Sequence, residues 1–208
     1  MGFLFLRKGS MFPIFLKLEG RQCLVVGAGT VAEGKIRGLL DAGAIVRVVA
    51  PNAVFQIRRW DFEGKLNWKP REFDPRDLDG ISIVIAATNS HKVNTQIFQE
   101  ARLRNVLCNA VDDPENCDFY YPAVVSRGDL QIAISTNGRS PALAQRLRKD
   151  LEEQFGPEYE AWLRELGEAR EQLNATHMDA EARKKLLHEL ASRQAFDSRK
   201  ATQRGRSN

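Results

Sequence analysis

Cysteine is scarce and poorly spaced for chemistry. The three thiols, Cys23, Cys108 and Cys117, contain no C-x-x-C pair, which excludes a zinc ribbon or a dithiol redox motif and implies reduced thiols in a cytoplasmic protein. Also missing are H-E-x-x-H, a phosphate-binding P-loop and a Ser/His/Asp arrangement with a nucleophile elbow, so zinc-dependent hydrolysis, phosphoryl transfer and serine hydrolysis lose their usual machinery. No apolar run reaches secretory or membrane length, because Arg7-Lys8 and Lys17 interrupt the start, and no membrane association is expected. Met11 is an alternative start to Met1, since "FPIFLKLEGRQCLVV" already reads as a strand, a Glu-Gly turn and a second strand. Charge of one sign is not in excess either. With 31 basic and 27 acidic residues the net charge is +4, which does not call for nucleic acid and leaves a small acid or polyacid as the compatible anion.

What remains is the composition of an ordinary globular protein, 43% hydrophobic and 28% charged. Apolar runs of strand length recur at Cys23–Val26, Ile45–Ala50, Ile81–Ala86 and Val106–Ala110. Helical patterns over Val31–Ala42, Asn52–Glu63 and Lys92–Arg104 connect them, with a minor strand near Leu66–Lys69. Val25-Val26, Val48-Val49 and Ile83-Val84-Ile85 lack polar alternation, as strands covered on both faces do. Right-handed crossovers then give an α/β, Rossmann-like doubly wound parallel sheet.

The pattern changes past residue 113. Ala123–Ser126 and Leu130–Ser135 flank Arg127-Gly128-Asp129 as a hairpin, whose open edge calls for a partner such as a second copy of the chain. Ser140 caps a helix with Pro141 at its first position and a stop at Gly156-Pro157; its stripe of Leu143, Leu147, Leu151 and Phe155 reads as core or interface. Two more amphipathic segments follow, carrying Tyr159, Trp162, Leu163 and Leu166, then Leu186, Leu187 and Leu190. The polar, basic end "DSRKATQRGRSN" is expected to be disordered. The expected division is a dinucleotide-binding domain over 1–113, a small α+β dimerisation region over 114–152 and a C-terminal helical domain over 153–208.

Three strand ends carry the candidate chemistry. Gly27-x-Gly29-x-x-Ala32 follows a strand and opens a helix, the context in which glycines allow a tight turn and close approach of a pyrophosphate to the helix N-terminus. A tight turn without ligand is the plainer alternative. The acid expected about 20 residues on, for the ribose, is missing: that place reads Val49-Ala50-Pro51-Asn52, so the choice between NAD and NADP stays open. Thr88 and Asn89 close the next strand at the edge where small residues let a cofactor lie close, which makes both cofactor-binding candidates; His91 beside them suits a surface or capping role, with a functional one as the alternative. Asn109, Asp112 and Asp113 end the last strand, and there Asn109 is a candidate substrate contact and Asp112 the candidate acid or base, while Asp113-Pro114 reads as a turn. In the second half, "STNGRSP" offers Ser135, Thr136, Arg139 and Ser140 as donors for a carboxylate-rich substrate, or simply as a capped loop.

These stretches together, "FPIFLKLEGRQCLVVGAGTVAEGK", "AATNSHKVN" and "CNAVDDPENCDFYYPAVVSRGDLQIAISTNGRSPALAQRLRKDLE", resemble the precorrin-2 dehydrogenase family, which includes the N-terminal part of siroheme synthase. The resemblance spans roughly residues 12–152. It implies a homodimer that uses NAD to convert precorrin-2, a tetrapyrrole with eight carboxylates, to sirohydrochlorin. It further implies a cofactor held by Gly27, Gly29, Thr30, Val31, Pro51 and Asn52, an important aspartate at Asp112, and, in some relatives, Fe²⁺ insertion. Ala28 and Gly34 depart from the family's usual glycine and arginine. Two other readings stand beside it: a non-catalytic NAD-sensing regulator, and a chelatase without dehydrogenase activity.

Overall fold

The computed structural model describes the backbone over residues 11–205 and the side chains over 11–199. The question of a start at Met1 therefore lies outside the described residues. Phe12–Tyr121 forms one compact unit and the chain from Pro122 a second.

In the first unit, β1 (Gln22–Val26), β2 (Ile45–Val49), β3 (Asn67–Lys69), β4 (Ile83–Ala86) and β5 (Leu107–Ala110) alternate with α1 (Thr30–Asp41), α2 (Phe55–Phe62) and α3 (His91–Leu103). The strands are all parallel in the order β3-β2-β1-β4-β5, with Cys23 opposite both Val46 and Ile83. Alternate residues of each strand feed opposite faces. Cys23, Val25, Val46 and Ile85 pack with Ile36, Ile57 and Trp60 of α1 and α2, whereas Leu24, Val84 and Cys108 pack with Ile97 and Ala101 of α3. Covering both faces is why these strands read as unbroken apolar runs. Each large apolar side chain so buried contributes about 1.5–3 kcal/mol. Burial also pushes the Cys23 thiol up to about 11 and that of Cys108 up to about 12.

Two stretches differ from the reading of the sequence. Residues 11–18 form no strand, and only the turn at Glu19-Gly20 survives, because β1 already has β2 and β4 as its neighbours. The first unit also runs on to Tyr121 rather than ending at 113, since the segment after β5 folds back. The Cys108 N–H donates to the Asp118 carboxylate at 3.0 Å, Asn109 Nδ2 donates to the Phe119 carbonyl at 2.8 Å, and Asn109 bridges to Cys117.

A buried carboxylate pins the segment between β3 and β4. Asp77 is 4% exposed. It accepts from Arg71 at 2.8 and 2.5 Å and from the Asp74 N–H at 2.9 Å. Burial pushes its pKa up, but the hydrogen bonds from Arg71 and Asp74 outweigh that and hold the pKa below the ordinary carboxylate value. A depressed pKa stabilises the fold above the unfolded value near 3.9 and loses that contribution as the pH falls through the folded one. Asp77→Asn is expected to lose about 1.5–3 kcal/mol at neutral pH. Urea unfolding should show the deficit at pH 7 shrinking towards pH 3; a constant deficit would contradict the ionic account.

In the second unit, β6 (Ala123–Arg127) and β7 (Leu130–Ile134) form the expected antiparallel hairpin, with Gly128 at φ +56° in its turn. Arg127 donates to the carbonyls of Glu152 at 3.0 Å and Phe155 at 2.8 Å, placing a cation at the carboxyl end of α4 (Pro141–Gln154). On α4, Leu143 is exposed and Leu147, Leu151 and Phe155 are half-buried, so the chain itself does not bury the stripe. Helices α5 (Glu158–Asn174), α6 (Ala180–Leu190) and α7 (Arg193–Gly205) complete the unit. The expected disordered end is thus helical through residue 205. Phe196, 2% exposed, stacks on Tyr159 and Trp162 with centroids 4.5 and 4.7 Å away, and Arg199 donates to Glu165 at 2.6 and 2.5 Å. The sparse apolar content of the tail concealed this anchor. Among the described residues no helix is long and apolar enough to cross a membrane.

Candidate functional site

At the carboxyl edge of the sheet, the turn after β1 runs towards α1 while the turn after β4 runs towards α3 on the other face. The crevice between such turns is where open α/β sheets bind ligands. It forms a cavity of about 830 Å³, walled by the loops that end β1, β2 and β4 together with the segment beyond β3.

Gly27 has φ +106°, and its N–H donates to the Val49 carbonyl at 2.9 Å. A β-carbon there would lie 2.2 Å from the Ala87 carbonyl oxygen, so the β1 and β4 turns cross at a distance only glycine permits. Gly29 differs. It caps α1 in an ordinary extended conformation, and a β-carbon would meet nothing within 4 Å. Its bare backbone opens on the cavity, in front of N–H groups that a helix start leaves unpaired. Ala28 is buried, and its carbonyl accepts the Val54 N–H at 3.0 Å, so its methyl is accommodated beside the turn. At Gly34 a β-carbon would meet nothing within 4 Å.

Gly27, Gly29, Pro51, Asn52, Thr88 and Asn89 all line the cavity. Thr30 and Val31 are exposed on the first turn of α1, outside that lining. Thr88 is held by Asn94, which is 5% exposed: the Thr88 hydroxyl donates to Asn94 Oδ1 at 2.7 Å, and Asn94 Nδ2 donates to the Thr88 carbonyl at 3.2 Å. Sequence reasoning missed Asn94, as well as Glu72 and Phe73 in the wall. The available signal for the latter two was their distance past β3, which pairs with β2 and therefore ends at the same edge.

The turn after β5 divides the expected residues. Asn109 is not available at the edge: it is 7% exposed, and its amide is engaged with Phe119 and Cys117. Asp113 pairs with His91, Oδ2 to Nδ1 at 3.0 Å, and accepts from Asn116 at 2.7 Å, so both residues tie the β4 and β5 turns together. Asp112 is exposed and left-handed at φ +59°, a conformation that costs a non-glycine residue about 1–3 kcal/mol and clusters at functional sites. Its charge reaches Lys35. Desolvation lowers the Lys35 pKa, the Asp112 carboxylate opposes that shift, and Lys35 Nζ sits 3.6 Å from the Tyr121 ring centroid. Desolvation pushes the Tyr121 hydroxyl up to about 12, although the residue as a whole is 44% exposed.

In the second unit, Ser135, Thr136 and Ser140 each use a hydroxyl oxygen as acceptor, for the N–H groups of Asn137, Ser140 and Leu143 at 3.1, 3.2 and 3.2 Å. Their O–H groups remain as donors in a turn shaped by left-handed Asn137 and Gly138. Arg139 is exposed beside them. Among the described residues no three His, Cys, Asp or Glu side chains converge as a metal site.

Fold and cavity together define a Rossmann-type dinucleotide-binding unit. The family described as putative NAD(P)-binding matches residues 14–123, and the one described as sirohaem biosynthesis protein central matches 127–154. A solved structure titled SirC, precorrin-2 dehydrogenase, superposes with a TM-score of 0.78 at 32% identity, covering 88% of this chain and 91% of that one. Siroheme synthase of Photorhabdus laumondii is 44% identical over 67% of this chain, and siroheme synthase 2 of Pectobacterium atrosepticum 41% over 67%. This chain spans 30% of the length of each of those synthases. The chain belongs to the precorrin-2 dehydrogenase family of siroheme biosynthesis proteins, and its cofactor is a nicotinamide dinucleotide.

Proposed function

We propose that this protein is an NAD⁺-dependent precorrin-2 dehydrogenase, acting in the cytoplasm as a homodimer and yielding sirohydrochlorin. The observation that carries the reading is the likeness to a precorrin-2 dehydrogenase along nearly the whole of both chains. The cavity supports it: glycine main chain faces the space at Gly29, and about 830 Å³ accommodates a dinucleotide. NAD⁺ supplies the hydride acceptor. Gly27 and Gly29 would admit its pyrophosphate and Pro51 and Asn52 would flank its ribose, while Thr88 and Asn89, braced by Asn94, line the wall beside β4. Thr30 and Val31 contribute the main-chain N–H groups of the first turn of α1. The Asp112 carboxylate takes the proton that leaves the tetrapyrrole as its hydride departs. Ser135, Thr136, Arg139 and Ser140 hold substrate carboxylates.

Anaerobic precorrin-2 supplied with NAD⁺ and this protein should change its absorbance to that of sirohydrochlorin, with NADH formed in equal amount. No conversion with either NAD⁺ or NADP⁺ would refute the assignment.

The homodimer rests on the second unit, where the α4 stripe stays partly uncovered and β6 and β7 form a two-stranded sheet. An isolated ribbon is marginal in water, and an uncovered apolar stripe is covered most simply by an isologous contact. Light scattering at micromolar concentration should give twice the mass of 23.5 kDa; a monodisperse monomer would contradict the dimer.

A further inference from the structure

The end of β2 lacks the acid that in dinucleotide-binding sheets receives the ribose hydroxyls. A carboxylate nevertheless lines the same cavity, from another strand. Glu72 lies three residues past Lys69, the last residue of β3. That strand end is lashed to the end of β2: the Ala50 N–H donates to the Lys69 carbonyl at 3.2 Å, and the Trp68 indole donates to the Ala50 carbonyl at 3.0 Å. Glu72 therefore borders the cavity on the side of Ala50, Pro51 and Asn52, where the ribose would lie. Among the described residues of the lining it is the only one with an ionisable side chain.

The neighbouring cation is turned to other work. An arginine near this place is what accommodates a 2′-phosphate in NADP-dependent sheets. Arg71 adjoins Glu72, but its guanidinium is engaged with both oxygens of buried Asp77 and donates to the Glu72 carbonyl at 2.9 Å. The same bonds hold the Glu72 main chain in place.

We propose that Glu72 is the residue that selects NAD⁺ over NADP⁺, accepting a hydrogen bond from the adenosine ribose and repelling a 2′-phosphate. This inference rests on the proposed dinucleotide-dependent activity. Direct binding of NAD⁺ and of NADP⁺ to the full chain, measured by titration calorimetry without tetrapyrrole, tests it against Glu72→Gln. That variant keeps the shape and removes the charge at an exposed position. The unaltered protein should bind NAD⁺ at least about tenfold more tightly than NADP⁺, and Glu72→Gln should bring the two dissociation constants to within about threefold by tightening NADP⁺ and weakening NAD⁺. The ratio of kcat/KM for the two cofactors should move in step. An unchanged ratio in a variant with unaltered thermal stability overturns the role of Glu72 and leaves the dehydrogenase intact. Tighter binding of NADP⁺ by the unaltered protein overturns both Glu72 and the choice of NAD⁺. Binding of neither dinucleotide overturns the proposed function itself.

Discussion

Asp112→Ala should lower kcat for the proposed precorrin-2 dehydrogenation by at least about tenfold, and by as much as about 10⁴-fold, the range a positioned acid or base supplies, while NAD⁺ affinity should change little. The side chain is exposed, lies outside the cavity lining and carries its charge within reach of Lys35. Its removal therefore leaves the dinucleotide wall untouched. Left-handed backbone at φ +59° adds a stability cost in the alanine variant, because aspartate and asparagine tolerate that region better than most residues. Asp112→Asn separates the two effects, since it keeps the turn and loses only the carboxylate. If both variants lose turnover, and only alanine loses thermal stability, the carboxylate acts in the chemistry. If both keep full dehydrogenase turnover but lose Fe²⁺ insertion assayed on sirohydrochlorin, hydride transfer relies on orientation alone and the aspartate serves the metal. Full retention of both activities would remove Asp112 from the site.

Substitutions at the two glycines of the first turn should fail in opposite ways. Gly27→Ala places a methyl 2.2 Å from the Ala87 carbonyl oxygen and 2.6 Å from its carbonyl carbon, at a φ of +106°. Both neighbours are backbone of the adjoining turn, so β1 and β4 must part at their ends. A loss of about 3–5 kcal/mol is expected, visible as a melting temperature lower by roughly 10 °C. Gly29→Leu meets no protein atom near its β-carbon and keeps an ordinary backbone conformation. Its melting temperature should stay within about 2 °C of the parent, while its KM for NAD⁺ rises at least about tenfold as the side chain fills the path of the pyrophosphate. Equal loss of stability in the two variants would mean that the second glycine serves the fold rather than the cofactor. Unchanged NAD⁺ dependence in Gly29→Leu would detach the glycine motif from the activity.

What local chemistry decides is visible along the chain. Runs such as Val48-Val49 and Ile83-Val84-Ile85 mark strands covered on both faces, Gly27-x-Gly29 marks a strand-to-helix turn, and Ser140-Pro141 marks a helix start; each is a pattern within one short window. From their alternation the parallel sheet follows, and with it the edge at which Pro51, Asn52, Thr88 and Asn89 meet. Placement across the sheet follows from no such window. Glu72 reaches the cavity only because β3 pairs beside β2, and Asn109 turns inward only because residues 117–119 fold back to receive it. Lys35 and Asp112 come within electrostatic reach from different elements, and the basic tail is helical because Phe196 and Arg199 find partners on α5. Helix and strand periodicities record which face of an element is apolar. Which residue of another element that face meets is a property of the pairing and packing of the whole unit, and so the outline of the cavity was written in the sequence while the carboxylate of Glu72 on its wall and the left-handed turn of Asp112 after β5 were decided by the tertiary structure.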